Sequence, residues 1–190
     1  ELLLSLWPGA SKGAASLEVS TKGDGTLVSR ADLGANEILL GALSSLFPRD
    51  AILSEEVEPE LSALAAAQRT WVIDPLDGTK AFLDGTDEFS ILVALCEERA
   101  PTFGIMLFPA RKQLLVAERG RGVTVNGAQV SVSSAAVPST GRVYIRNFEC
   151  TNPALASPMM DSGLALLKVA TGELDGAIIR MKTHREWDIA

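Results

Sequence analysis

Cysteine is nearly absent from this chain: Cys96 and Cys150 are its only two, and they stand far apart. Isolated thiols provide neither a disulfide framework nor zinc spacing, so a reducing, cytoplasmic location is expected. Cys96 lies in an apolar run and reads as a small core residue. Long hydrophobic runs are missing too. No segment reaches the length that crosses a bilayer, so a membrane partner is not expected. The apolar start, Leu2 to Trp7, lacks a basic flank; it reads as the end of a helix stopped by Pro8-Gly9 rather than as a signal peptide. Positive charge is scarce, with 17 basic residues against 24 acidic ones and a formal net charge of −7. No basic block or basic-aromatic interleaving appears, which argues against a nucleic-acid polymer as partner. The one histidine, His184, is assigned no role. Repeats and low-complexity tracts are also absent.

What is present is 190 residues, 47% of them hydrophobic, enough for a substantial core in one domain or two closely packed halves. The surplus of carboxylates suits a protein that reaches phosphate through metal ions. The stretch running from Trp71 to Thr79 organises the chain. Trp71-Val72-Ile73 is an apolar run of the kind a buried strand uses, and Pro75 predicts that the strand stops at Asp74. Asp77 stands where a helix would begin, followed by the backbone N–H groups of Gly78 and Thr79, which suit an anion. Two carboxylates flanking such a turn suggest a divalent metal plus phosphate. The plainer alternative makes Asp77 an N-cap and Asp74 a turn residue.

Around this stretch, Val19 to Val28 contains a polar, glycine-punctuated loop, Lys22-Gly23-Asp24-Gly25-Thr26. Ser29 to Asp32 has the form of a capping box, and the apolar spacing behind it predicts a helix to about Phe47. Asp32 is either that cap alone or a carboxylate aimed from a helix start into a shared site. Ala51-Ile52-Leu53 is a short strand ending in Ser54-Glu55-Glu56, and Glu60 to Gln68 a short helix. Glu55 and Glu56 are either solvated charges or carboxylates just past a buried strand end, where α/β folds place chemistry. Phe89–Leu95, Gly104–Phe108 and Gln113–Ala117 read as strands, and Asn126-Gly127 marks a hairpin between Val123–Val125 and Ala128–Val132. The central third is therefore β-rich and largely antiparallel. Ser133 to Gly141 reads as a linker between an N-terminal α+β half, residues 1–133, and a smaller α/β half, residues 142–190. In the latter, Arg142–Arg146 is a strand, Ser162–Thr171 a helix closed by Gly172, and Leu174–Ile179 a strand.

Four ordered motifs together resemble the inositol monophosphatase superfamily of magnesium-dependent, lithium-sensitive phosphatases. They are Lys22 to Thr26 with Ser29 to Asp32, then Leu53 to Glu56, then Trp71 to Phe82, and finally Trp187-Asp188-Ile189-Ala190. The resemblance implies an α/β (α+β) fold, the layered αβαβα sugar-phosphatase architecture. It places metal ligands on Glu55, Asp74, the Leu76 carbonyl, Asp77 and Asp188, and phosphate on Asp77, Gly78 and Thr79. Asp32, Glu55 and Thr79 would act on the attacking water, and Ser162, Arg180 and Asp188 would border the substrate. It further implies Mg²⁺, about two or three ions, inhibition by Li⁺, a small phosphate ester as partner and a possible homodimer. Direct in-line attack by water near Glu55 and Thr79, without a phosphoenzyme, is the expected chemistry.

Within the superfamily, Asp77 to Phe82 and Glu88-Phe89-Ser90 look most like the 3′(2′),5′-bisphosphate nucleotidase branch, which converts adenosine 3′,5′-bisphosphate to AMP. Inositol-1-monophosphatase and the sugar or histidinol phosphatases are the alternatives. Two departures stand out. Met160 to Ala165 lacks the family's Gly-Ser pair and has Ala165 where nucleotidases often carry Lys. Family members also begin earlier and continue past Trp-Asp, which implies that terminal or loop segments are missing. Two rivals remain. An aspartyl-nucleophile phosphatase of the haloacid-dehalogenase type uses Asp-x-Asp-Gly-Thr, one residue shorter than Asp74 to Thr79 here. A metal- or nucleotide-binding module without turnover is the other.

Overall fold

In the computed structural model, residues 1–9, 18–23, 27–135, 142–146 and 160–179 are described. Seven strands form the main sheet, in the spatial order β3-β4-β5-β6-β7-β8-β9. These are β3 (Ala51–Ser54), β4 (Arg69–Asp77), β5 (Ser90–Glu97), β6 (Ala100–Phe108), β7 (Gln113–Glu118), β8 (Gly122–Val125) and β9 (Ala128–Val130). β3 and β4 pair in parallel; every other pair in this sheet is antiparallel. The parallel pair needs a crossover, and α3 (Leu61–Ala66) lies within it.

Register assigns the two faces. Trp71 faces Leu95, and Ile73, Val93 and Ile105 line up across three strands. With Leu43 these residues form one buried cluster, so α2 (Arg30–Leu46) covers that face. The alternate register brings Met106 beside Leu115 and Leu115 beside Val125. Leu164 and Leu167 of α5 (Ser162–Ala170) pack there with Phe108 and Leu115. The sheet thus lies between two helices because successive side chains point to opposite faces. A third cluster gathers Leu3 of α1 (Leu2–Leu6), Ala31, Ala35, Leu76, Phe82 and Phe89, with Phe82 set edge-on to Phe89 at 4.9 Å between ring centroids. It backs the segment after Asp74, through Leu76.

Three details depart from sequence expectation. β4 does not stop at Asp74 but runs to Asp77. Asp74 pairs with Leu92 and Asp77 with Ser90, an advance of three residues against two. That bulge takes up Pro75, which has no N–H for a regular ladder. An antiparallel pair that the sequence did not announce, β1 (Val19–Thr21) with β2 (Leu27–Ser29), flanks the expected loop Lys22 to Thr26. The strand expected from Gly104 begins earlier, at Ala100, behind a tight turn in which Glu98 and Arg99 have φ of 50° and 65°.

Several local expectations match the structure. The capping box forms at Ser29 and Asp32, and α2 ends before Pro48. Asn126 and Gly127 both take positive φ in their hairpin, as a type I′ turn requires. Gly172, at φ 74°, follows α5. Farther along the chain β10 (Val143–Arg146) pairs in parallel with β11 (Gly176–Ile179).

Candidate active site

Glu55 and Asp74 stand at one end of the parallel pair, just past Ser54 and Ile73. Glu55 follows β3, and its N–H donates to the Ile73 carbonyl at 3.2 Å, one residue before Asp74. Asp74 is 2% exposed, and its Oδ1 accepts from the Leu76 N–H at 3.0 Å, which bends the chain into the bulge. Gly78 then takes φ 80°, and a Cβ there would lie 3.0 Å from the Glu88 carbonyl oxygen, so only glycine fits without strain. The short helix α4 (Thr79–Leu83) starts immediately after it.

Asp32 enters from the other side, on the first turn of α2. Its Oδ2 accepts from the Ser29 N–H at 2.7 Å and from the Ser29 hydroxyl at 2.6 Å. Its Oδ1 accepts from the Thr79 hydroxyl at 2.9 Å, while that hydroxyl also lies 3.2 Å from the Leu76 carbonyl oxygen. One oxygen of Asp32 therefore caps the helix while the other reaches Thr79. Burial pushes its carboxyl above the usual carboxylate range, against the opposing pull of the hydrogen bonds from Ser29 and Thr79.

Lys22, a residue of the polar loop before Thr26, is central to the Glu55 corner. Its Nζ donates to Glu55 Oε1 at 2.8 Å and to Glu56 Oε1 at 2.7 Å. Burial lowers the proton affinity of the ammonium, but the hydrogen bonds to the two glutamates outweigh it and hold its pKa above the ordinary lysine value. Burial pushes Glu56 up despite the same lysine, with Glu55 and Asp32 adding like charge. A cleft of about 640 Å³, bordered by Lys22, Glu55, Glu56 and the apolar Leu33 and Leu61, opens this corner to solvent. Behind it, the Ser54 hydroxyl donates to the buried Asn36 Oδ1 at 2.7 Å and ties β3 to α2.

Asp77 meets the second half of the chain. Its Oδ2 accepts from the Ser90 hydroxyl at 3.1 Å. Gly163, on the first turn of α5, approaches so closely that an added Cβ would overlap that same oxygen. Ser162, expected to border the substrate, is buried beside this contact. Arg180, His184 and Asp188 lie outside the described residues, as does Cys150.

A hard divalent cation suits oxygen donors, and Glu55, Asp74, Asp77 and the Leu76 carbonyl are all of that kind. Lys22 bridging Glu55 and Glu56 shows that this corner already accommodates positive charge. Among the described residues no three His, Cys, Asp or Glu side chains are grouped to hold one ion. The donor chemistry fits a hard cation; the full ligand set is not gathered within the described residues.

The inositol monophosphatase family profile matches residues 3–190. The chain is 34% identical to a histidinol-phosphatase of Chlorobaculum parvum, covering 94% of this chain and 72% of that protein. It is 37% identical to the 3′(2′),5′-bisphosphate nucleotidase CysQ of Salmonella typhimurium, over 57% of this chain and 44% of the relative, so it spans less than half of that protein. Among solved structures, the extragenic suppressor protein suhB of Bartonella henselae superimposes with a TM-score of 0.83 at 27% identity. That match covers all of this chain (100%) and 76% of the other. An IMPase/NADP phosphatase complexed with Mg²⁺ and phosphate shares the fold, with a TM-score of 0.78 at 20% identity over 92% of this chain and 69% of that one.

Proposed function

The chain belongs to the inositol monophosphatase family, and from that premise we propose that it hydrolyses the phosphate ester of a small metabolite with the help of Mg²⁺. The observation that supports this reading is the Thr79 hydroxyl held between Asp32 Oδ1 and the Leu76 carbonyl oxygen, with Glu55 bonded across the sheet to Ile73, the neighbour of Asp74. Glu55, Asp74, the Leu76 carbonyl, Asp77 and Asp188 would hold the cation. When bound, Mg²⁺ neutralises charge on the phosphoryl oxygens and makes water a stronger nucleophile.

The remaining work falls to the chain's own groups. The backbone N–H groups of Gly78 and Thr79 would orient the phosphate. The Thr79 hydroxyl has one proton and two acceptors within reach, Asp32 Oδ1 and the Leu76 carbonyl oxygen. Donating to Asp32 leaves its lone pairs able to take a proton from an attacking water. Asp32, whose proton affinity burial raises, suits the role of final base.

Two substrates follow from different observations. Asp77 to Phe82 and Glu88 to Ser90 resemble the bisphosphate nucleotidases, which favours adenosine 3′,5′-bisphosphate. The histidinol-phosphatase relative aligns over far more of the chain, 94% against 57%, and supports histidinol phosphate as the second reading. Phosphate release from both, and from inositol 1-phosphate, should require Mg²⁺ and stop with EDTA. Asp74→Asn should lower kcat/KM by about 100-fold or more. Release that persists unchanged in EDTA, or a fully active D74N, would refute the proposal.

A further inference from the structure

The contact between Asp77 and α5 joins residues 86 apart in sequence (163 − 77), so something must hold that helix end in place. The loop Asp84–Asp87 leads to Glu88 and is clamped by Arg111, whose Nη2 donates to Asp87 Oδ1 at 2.8 Å and whose Nε donates to the Asp87 carbonyl at 3.2 Å. Glu88 then reaches across: its Oε2 accepts from the Asp161 N–H at 2.8 Å. Asp161 is the N-cap of α5, with its own Oδ1 accepting from the Gly163 N–H at 3.0 Å. The same Glu88 backbone packs on Gly78, where a Cβ would stand 3.0 Å from the Glu88 carbonyl oxygen and 3.4 Å from Asp161 Cγ.

Glu88 therefore touches both sides of a seam, its backbone against the Gly78 turn and its carboxylate on the first residue of the α5 cap. A charge-assisted hydrogen bond of this kind has defined direction and length. Its consequence is transmitted two residues on, where Gly163 abuts Asp77 Oδ2 and lies beside the Ser90 hydroxyl that donates to the same oxygen. We propose that Glu88 is a positioning residue: by holding the Asp161 N–H it seats α5 against Asp77 and fixes the orientation of that carboxylate. The role is independent of which substrate is turned over, though it rests on the reading of Asp77 as a cation ligand.

The test uses the full chain, with Mg²⁺ and inorganic phosphate as probes followed by calorimetry, and phosphate-release kinetics alongside. Glu88→Ala should weaken Mg²⁺ binding by about 10–100-fold, the usual cost of removing the partner that orients a ligand. Glu88→Gln keeps an acceptor oxygen and should remain close to wild type. Amide exchange at Asp161 should accelerate in E88A and stay slow in E88Q. A second pair guards against a simple folding defect. Asp161→Ala loses the side-chain cap but keeps the N–H, whereas Asp161→Pro also deletes the N–H at a backbone φ of −68° that proline accepts. D161P should bind Mg²⁺ more weakly than D161A, and adding E88A to D161P should cost nothing more. E88A binding Mg²⁺ as wild type does, or E88Q falling as far as E88A, would overturn the role of Glu88. A wild-type chain that binds no Mg²⁺ would instead overturn the reading of Asp77 beneath it.

Discussion

Asp32 carries two loads on one carboxylate, and they pull its chemistry in opposite directions. The cap hydrogen bonds from Ser29 favour the ionised form, while burial disfavours it more strongly. A carboxyl whose pKa rises on folding contributes most to stability below its unfolded value of about 3.9. That contribution is lost as pH rises through the higher folded value. At neutral pH the ionised Asp32 is thus a cost to the fold, and Asp32→Asn removes the charge while keeping an acceptor for Ser29. Urea unfolding without metal should show D32N gaining more over wild type at pH 7 than at pH 4. The same variant should lose about 10²–10⁴-fold in kcat if Asp32 accepts the proton passed by Thr79. Equal effects on stability at both pH values would mean that the buried charge has no such cost. Lys22 makes a related point. Its position beside two glutamates was not legible from spacing, since 33 and 34 residues separate it from them.

Among the elements, turns show most clearly which local signals the chain wrote and which it left out. Asn126-Gly127 announces its hairpin because both residue types tolerate positive φ. The β5–β6 turn uses Glu98 and Arg99 in the same conformation, and neither residue type signals it. The start of β6 was accordingly missed. Left-handed backbone at a non-glycine residue costs roughly 1–2 kcal/mol. Replacing this pair by Asn-Gly (E98N/R99G) should therefore raise the unfolding free energy by about 1 kcal/mol, read as a higher denaturant midpoint at unchanged m-value. An unchanged or lower midpoint would show that the turn carries no such strain. The end of β4 was misjudged for the converse reason. Pro75 is a strong stop signal in isolation, but a bulge between Asp74 and Asp77 lets the strand pass it.

At the scale of the whole molecule, the chain carries a net charge of −7, and a cation that binds at the Glu55 and Asp74 end of the sheet should stabilise the fold. Free Mg²⁺ at 100 times its dissociation constant contributes about 2.7 kcal/mol. For a domain of this size that corresponds to a Tm higher by about 5–10 °C in Mg²⁺ than in EDTA. Scanning calorimetry with both additives measures it, and identical melting in the two would contradict the metal reading. No helix among the described residues is long and apolar enough to cross a membrane.

Features whose causes lie within a few residues are legible from the chain alone. The capping box at Ser29 and Asp32, the strand of Trp71 to Ile73, the Asn126-Gly127 hairpin and the α5 stop at Gly172 follow from period, cap and turn chemistry. The motifs around Glu55 and Asp74 also carried the family. Which groups touch emerges on folding: Lys22 on Glu55 and Glu56, Ser90 on Asp77, Glu88 on the Asp161 N–H, Gly163 against Asp77. Those contacts span 13 to 86 residues, counting 163 − 77 for the longest. They are set by sheet register and by helices packing on both faces, which no short window of sequence encodes.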